Sequence, residues 1–248
     1  MSVIAIIPAR YASTRLPGKP LLARTGKPLI QHVVESVRRC RRIQRIAVAT
    51  DDRRIFDAVA AFGGLAVMTS IEHRSGTDRL NEAAAVLGLA DDDIVVNVQG
   101  DEPDIPPACV DELVGLLESC GTPMATLCTP LPADQVDDPN RVKVVFGRSR
   151  RALYFSRSRI PFDRDKSGQA KYFLHLGIYA YRVAFLRLFA SLPPTPAESV
   201  EKLEQLRALE HGHAIAITCV DYSGVGIDTP ADYEAFVARM NGYDKETT

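Results

Sequence analysis

The chain has 248 residues, 46% of them hydrophobic and 25% charged, with a formal net charge of -1. This is the profile of one globular α/β domain with material for a core, and it excludes a whole-molecule field that would favour nucleic acid or membrane. The five cysteines are scattered without a CxxC pair, which predicts core residues rather than disulfides; with neither signal peptide nor membrane span recognisable, we expect a cytoplasmic protein.

The first half of the chain alternates between predicted strands and predicted helices. Short β-branched runs predict strands at 2–7, 45–50, 65–69 and 93–99. Apolar residues at helical spacing predict helices at 28–40, 53–64 and 78–88. This alternation is typical of a mostly parallel sheet with helices on both faces, in which ligands bind at the carboxyl ends of the strands.

The second half is less regular. The segments 124–131 and 141–146 are predicted to form antiparallel strands, and 171–182 a further strand. Helices are predicted at 183–191 and 199–212. The last residues, 241–248, form a polar tail that we expect to fray. We therefore expect a single domain over 1–240, with the tail outside it.

A cationic loop follows the first predicted strand. The stretch "IPARYASTRLPGKPL" carries Arg10, Arg15 and Lys19 with two hydroxyl groups and a glycine. It has neither the GxxxxGK[ST] frame of a P-loop nor a dinucleotide-binding glycine pattern. Backbone N–H groups, hydroxyls and cations at a strand end suit a polyphosphate. The composition alone fits a solvated surface loop equally well.

Two aspartates stand where a metal ion could bind. Asp101 in "QGDEP" directly follows a buried strand, and Mg²⁺ prefers one or two carboxylates together with substrate phosphates. Gly-Asp-Glu-Pro is also turn chemistry. Asp228 in "GVGIDTPAD" precedes Thr-Pro, a sequence that often starts a helix. Local sequence favours helix capping for Asp228.

A basic segment and a histidine complete the candidate features. Between Arg141 and Lys166 lie nine Lys or Arg residues and two Asp, which fits an acidic substrate, a solvated strand pair or a subunit contact. No second basic stripe supports nucleic acid binding. His175 and Tyr179 are four residues apart on one predicted strand, so they lie on the same face; a lone histidine is more often structural than catalytic.

Seven stretches together resemble one enzyme family. They are "IPARYASTRLPGKPL", "SGTDRL", "NVQGDEP", "ALYFSRSRIPFDRD", "HLGIYAYR", "EKLEQLRAL" and "GIDTPAD". Their order and spacing resemble the 3-deoxy-manno-octulosonate (Kdo) cytidylyltransferases from about residue 3 to about residue 237. The resemblance implies a nucleotide-diphospho-sugar transferase fold with a smaller antiparallel lobe, and direct transfer of CMP from CTP to the sugar acid Kdo for lipopolysaccharide synthesis. It also implies a homodimer that uses Mg²⁺.

The resemblance also implies roles for individual residues. The half at about 1–120 would bind the nucleotide, and the half at about 121–215 would bind the sugar and form the dimer contact. Nucleotide contacts fall on Ala9, Arg10, Lys19, Ser75, Gly76 and Gln99. Sugar contacts fall on Arg15, Gln99, Arg157, Arg164, His175, Tyr179, Glu204 and Gln205. Asp101 and Asp228 match the metal-binding aspartates and, with Lys19, the catalytic group, which for Asp228 reverses the preference for capping.

Three alternatives stay open at this stage. The sugar could be 8-amino-3,8-dideoxy-octulosonate, whose enzymes carry closely similar motifs, or another acidic sugar such as sialic acid. The chain could also be a non-catalytic nucleotide-binding protein of the same fold. Comparing sugar acids in a pyrophosphate-release assay separates these possibilities.

Overall fold

A mixed sheet forms the centre of the protein, and it has nine strands among the residues that the structure describes. The computed structural model describes residues 1–12, 16–73, 75–222 and 226–246. The strands are β1 (Val3–Ala9), β2 (Arg45–Thr50), β3 (Leu65–Met68), β4 (Ile94–Asn97), β5 (Met124–Leu131), β6 (Lys143–Phe146), β7 (Ala152–Ser156), β8 (Tyr172–Arg182) and β9 (Ile215–Cys219). Their order is β3-β2-β1-β4-β8-β5-β9, and a β6–β7 hairpin joins β8 through β6.

The sheet is mostly parallel, as the sequence predicts. β1 pairs in parallel with both β2 and β4, and β2 with β3. β8 runs antiparallel to its neighbours β4 and β5, whereas β5 and β9 are parallel. The antiparallel strands predicted at 124–131 and 141–146 are confirmed, because β5 and β6 both run antiparallel to β8; β5 also pairs in parallel with β9. The β6–β7 hairpin supplies the smaller antiparallel part.

Helices cover both faces of the sheet, which confirms the second half of the fold prediction. They are α1 (Leu29–Val37), α2 (Arg53–Ala61), α3 (Gly76–Val86), α4 (Pro107–Ser119), α5 (Val183–Ser191), α6 (Pro196–Glu201), α7 (Gln205–Glu210) and α8 (Pro230–Glu246). Alternate residues of β1 divide between two apolar cores: Ala5 and Ile7 face α1, α2 and α4, whereas Ile4 and Ile6 face α3, α5 and α7. Burial on both faces explains the continuous apolar run of this strand.

The single helix predicted over 199–212 is wrong. Lys202 adopts the left-handed conformation, with φ 55° and ψ 46°, and separates α6 from α7. Arg207 on α7 donates to both carboxylate oxygens of Glu198 on α6, at 2.8 and 2.5 Å. This ion pair joins residues nine positions apart, which a continuous helix would hold about 13 Å apart along its axis.

Among the described elements, three had no counterpart in the sequence prediction, α4, β7 and β9. The helix α6 overlaps the helix predicted over 199–212, and α8 was indicated only by the Thr-Pro start signal. At the chain end, α8 continues to Glu246, into the tail expected to fray. Among the described residues there is no helix long and apolar enough to span a bilayer.

Candidate active site

The loop after β1 is closed by a glycine that presents Lys19. Gly18 has φ +66°, and its N–H donates to the carbonyl of Tyr11 at 3.1 Å. A Cβ at this position would lie 3.2 Å from the Tyr11 ring and would also strain the backbone. Directly afterwards, Lys19–Leu21 forms a short 3-10 helix. The remainder of the loop, residues 13–15, lies outside the described part of the chain, and so does the sugar-binding role predicted for Arg15.

Lys19 joins two aspartates that come from distant parts of the chain. Its Nζ lies 2.6 Å from Oδ2 of Asp101, just beyond β4, and 3.2 Å from Oδ1 of Asp228, between β9 and α8. The Ile227 N–H donates to the Asp101 carbonyl at 2.8 Å and fixes the two acidic segments together. The structure therefore brings together all three residues that the resemblance marks as catalytic.

A glycine lets the acidic loop approach β1. A Cβ on Gly100 would lie 2.9 Å from the Pro8 carbonyl oxygen, closer than a side chain can come. Glu102 follows Asp101, and burial together with the charges of Asp101 and Asp228 raises its pKa to about 7. The acidic side chains thus lie close enough together at the end of β4 to disfavour ionisation of Glu102, and Lys19 is a cation that contacts two of them.

The helix cap near Asp228 is made by its neighbours. The Thr229 hydroxyl accepts the N–H of Asp232 at 3.2 Å, and the Asp232 carboxylate accepts the N–H of Thr229 at 2.8 Å. These reciprocal bonds form a capping box at the start of α8. The interpretation of Asp228 as the cap residue is therefore wrong. Thr229 occupies the cap position, and the Asp228 carboxylate contacts Lys19.

A cleft of about 400 Å³ opens beside these three charged groups. It is lined by Pro8, Ala9, Arg10, Ala12, Lys19, Pro20, Gly76, Gln99, Gly100, Asp101 and Asp228. Nη2 of Arg10 donates to the carbonyls of His73 and Ser75, at 3.0 and 2.9 Å, which ties the start of α3 to the end of β1. The Ser75 hydroxyl caps α3 by accepting the N–H of Asp78 at 3.1 Å. The cleft thus combines cations with a helix N-terminus, which suits an anion.

A smaller cavity of about 230 Å³ adjoins the cleft and shares Gly76 and Gln99 with it. Its other lining residues are Thr77, Asn97, Met124, Tyr179, Tyr181, Phe189, Glu204 and Gln205. Within the described structure, two buried polar atoms of this lining have neither a hydrogen-bond nor an ion-pair partner, Asn97 Oδ1 and Gln205 Nε2. Oε1 of Glu204 accepts no hydrogen bond but lies 3.9 Å from Nη2 of Arg207. Unpaired buried polar atoms around one cavity indicate a polar ligand. Burial also raises the pKa of Glu204, against the hydrogen bonds of Ser75 and Thr77.

Comparison with known proteins agrees with this geometry. The family model described as cytidylyltransferase matches residues 4–215. The chain belongs to the cytidylyltransferase family. A 3-deoxy-manno-octulosonate cytidylyltransferase of Syntrophobacter fumaroxidans is 53% identical, over 96% of each chain. An 8-amino-3,8-dideoxy-manno-octulosonate cytidylyltransferase of Shewanella sp. (strain W3-18-1) is 52% identical, over 97% of this chain and 99% of the relative.

Solved structures support the same family. The structure of CMP:2-keto-3-deoxy-manno-octonic acid synthetase complexed with CTP is 45% identical and superposes with a TM-score of 0.92, over 98% of this chain and 100% of that one. A cytidylyltransferase from Leptospira borgpetersenii serovar Hardjo-bovis, at 19% identity and a TM-score of 0.63, shares the fold. The predicted nucleotide-diphospho-sugar transferase fold is confirmed, and this cytidylyltransferase is a nucleotidyltransferase enzyme.

Two predicted sugar contacts lie away from the cavities of this cytidylyltransferase. Arg157 donates from Nε to the Glu201 carbonyl at 2.7 Å and from Nη1 to the Pro139 carbonyl at 2.9 Å, so its guanidinium joins β7 to neighbouring loops. Arg164 is exposed between β7 and β8. Neither lines the cleft or the adjoining cavity, and their roles towards the sugar stay predictions.

His175 lies beside the smaller cavity through its contact with Tyr179. The two rings are 5.4 Å apart, which confirms that they share one face of β8. Nε2 of His175 lies 3.0 Å from the Thr126 hydroxyl, and Phe155 packs edge-on at 4.9 Å. Desolvation lowers the His175 pKa to about 3, so the imidazole ring is neutral at pH 7. One of its nitrogens can then donate a hydrogen bond while the other accepts one.

Sequence reasoning missed several lining residues, among them Asn97, Thr77 and Tyr181. Asn97 carried a usable signal, since it is the one polar residue in the apolar run "IVVN" of β4. Thr77 and Tyr181 carried none, because hydroxyl residues are common in ordinary helices and strands. In the described structure no group of three His, Cys, Asp or Glu residues stands close enough to hold a metal ion by itself.

Proposed function

We propose that this protein transfers CMP from CTP to the anomeric 2-hydroxyl of 3-deoxy-D-manno-octulosonate, with release of pyrophosphate. The observation that carries the proposal is the Lys19–Asp101–Asp228 cluster in a cleft that shares two lining residues with a second, polar cavity. Two adjoining cavities of this kind suit two substrates. The cationic cleft suits the triphosphate, and the cavity with unpaired polar atoms suits a sugar rich in hydroxyl groups.

The reaction is a direct displacement at phosphorus. The sugar hydroxyl gives up its proton to solvent as its oxygen bonds to the α-phosphorus, and the bond from that phosphorus to the bridging oxygen breaks on the opposite side, releasing pyrophosphate. The described lining of the two cavities contains no Cys, Ser or His, which fits a route without a covalent enzyme intermediate. Lys19 would stabilise charge on the departing pyrophosphate, and Gln99, shared by both cavities, would help to orient the reacting groups.

Asp101 and Asp228 fit the ligand set of a magnesium ion. Their carboxylates already surround one cation, the Lys19 ammonium, and their side chains are 26% and 40% exposed. A site with two carboxylates is suitable when phosphate oxygens complete the shell. Bound Mg²⁺ would supply Lewis-acid activation of the sugar hydroxyl and neutralise phosphate charge.

A second candidate substrate is 8-amino-3,8-dideoxy-octulosonate. Enzymes named for that sugar are 49–52% identical to this chain, against 53% for the Syntrophobacter enzyme. The test is pyrophosphate release by the purified protein with CTP, Mg²⁺ and either sugar, with sialic acid as a third arm. Turnover with Kdo supports the proposal, and turnover confined to the amino sugar moves the assignment to the second candidate. Absence of turnover with every sugar acid contradicts catalysis.

We further propose a homodimer in the cytoplasm whose product feeds lipopolysaccharide synthesis. The dimer proposal is supported by exposed apolar side chains on and after β7: Leu153 is 65% exposed and Phe162 80% exposed. Large apolar side chains left exposed on one strand and the segment after it are the kind of surface that a subunit contact covers. Sedimentation of the wild type and of a Leu153→Asp variant tests this, because a dimer that uses this surface should dissociate in the variant.

A further inference from the structure

The Lys19 ammonium occupies the position from which a cation can reach both aspartates at once. Its Nζ contacts Oδ2 of Asp101 at 2.6 Å and Oδ1 of Asp228 at 3.2 Å. The lysine side chain is only 13% exposed, so these contacts are partly shielded from water. A divalent ion held between these carboxylates would need their negative charge, which the ammonium now neutralises. Lysine and metal therefore compete for one negatively charged position.

A bound triphosphate offers Lys19 a different partner. Lys19 lines the 400 Å³ cleft, where the start of α3 also favours anions. A lysine carries a compact charge on a flexible four-carbon stem, so its ammonium can turn from one anion to another without backbone movement. The negative charge of Asp101 and Asp228 can thus be neutralised in two ways, by the Lys19 ammonium or by a divalent ion once Lys19 has turned to the triphosphate.

We infer that Lys19 is an exchangeable cation, which closes the metal site in the nucleotide-free protein and leaves it when a triphosphate binds. The inference rests on the proposed function, because it takes the aspartates as the metal-binding pair and CTP as the ligand. Nucleotide and metal then promote each other's binding, and by linkage the promotion is equal in both directions. The protein therefore holds a divalent ion at this position more tightly when the nucleotide is present.

The first test measures Mn²⁺ affinity in the nucleotide-free protein at pH 8, with free Mn²⁺ followed by electron paramagnetic resonance. Lys19→Met should bind Mn²⁺ about tenfold or more tightly than the wild type, since the competing charge is gone. The matched control is Lys27→Met, which removes an exposed lysine paired with Glu35 at 3.0 Å and should leave the affinity unchanged. Adding Asp101→Asn to Lys19→Met should abolish the gain and so locate the ion.

The second test measures the coupling to nucleotide. The probe is CTP whose β- and γ-phosphates carry an exchange-inert cobalt(III) tetraammine group, so that added Mn²⁺ cannot exchange into that position. Its α-phosphate can ligate Mn²⁺ in any variant, but it releases Lys19 only in the wild type. The gain in Mn²⁺ affinity on adding the probe should therefore be about tenfold larger in the wild type than in Lys19→Met.

Equal Mn²⁺ affinity of the nucleotide-free wild type and Lys19→Met, or equal gains on adding the probe, would overturn the inference. Circular dichroism checks that the variant is folded, and Lys19→Gln replaces it if the methionine variant is not. Pyrophosphate release with the two sugars is scored separately. Turnover without coupling defeats only the exchange of Lys19, and coupling without turnover defeats only the proposed reaction.

Discussion

Asp228→Asn and Thr229→Ala should separate chemistry from helix capping at two adjacent positions. The structure assigns the cap of α8 to Thr229 and Asp232, and the contact with Lys19 to Asp228. An asparagine at 228 keeps nearly the same shape but removes one of the two carboxylates proposed to bind the metal. We therefore expect Asp228→Asn to impair turnover, and Thr229→Ala to impair stability.

The expected magnitudes differ enough to be measured without ambiguity. Asp228 is 40% exposed, so its ion pair with Lys19 contributes at most about 1 kcal/mol to stability after screening by water. Loss of a preorganised charge at the reacting centre costs about 3–4 kcal/mol of transition-state stabilisation, a fall in kcat of about 100- to 1000-fold. Thr229→Ala should cost about 1 kcal/mol of stability, or about 2–4 °C in Tm, with kcat nearly unchanged.

The assay pairs pyrophosphate release at saturating CTP, Mg²⁺ and Kdo with thermal unfolding of the same protein samples. Asp101→Asn should behave as Asp228→Asn does, and the double variant should be little worse than either, because both carboxylates serve one metal position. A near-normal kcat in Asp228→Asn would refute the reasoning. A large fall in kcat with an unchanged Tm in Thr229→Ala would also refute it.

The remaining predictions concern the base, the basic segment and the histidine. CTP should be turned over far faster than ATP or GTP, because a site that hydrogen-bonds the pyrimidine edge leaves polar groups unpaired against a purine; equal rates would contradict this. Arg157→Ala should lower Tm, because its guanidinium holds two backbone carbonyls. It should also raise the KM for sugar more than the KM for CTP, as its sugar-binding role implied by the resemblance requires. The exposed Arg164→Ala should leave Tm unchanged. Burial lowers the His175 pKa to about 3 from its ordinary 6.5, so the unfolded chain binds the proton first as acid is added. Stability should fall as pH drops from 6.5 towards 3, and a His175→Gln variant should show a shallower fall in denaturant titrations at pH 7 and 5.

Much of the fold could be read from the sequence because helix and strand periods are local. The apolar run at the start of the chain predicts β1, and the helical spacing of residues 28–40 predicts α1, both as observed. The strand ends at Ala9 and Asn97 also mark where ligands bind in a parallel sheet. The helix α4 was missed although its apolar residues Val110, Leu113, Val114 and Leu117 are spaced as a buried helical face requires.

Side-chain partners were decided only by the tertiary structure. Lys19 and Asp228 are 209 residues apart in sequence, and only the packing of strand ends places them 3.2 Å from each other. Local sequence assigned Asp228 to a helix cap because Asp and Thr both suit that position; the fold let Thr229 take the cap and turned Asp228 towards the lysine.

The same distinction explains the break between α6 and α7. The amphipathic pattern of 199–212 fits one helix, and nothing within that stretch opposes it. The left-handed Lys202 ends α6, and this break lets Arg207 of α7 reach Glu198 of α6. The spacing of apolar residues indicates which residues are buried, and this spacing is a property of the local sequence. Partners for charge and hydrogen bonds depend on distances in space, which the sequence determines only through the complete fold.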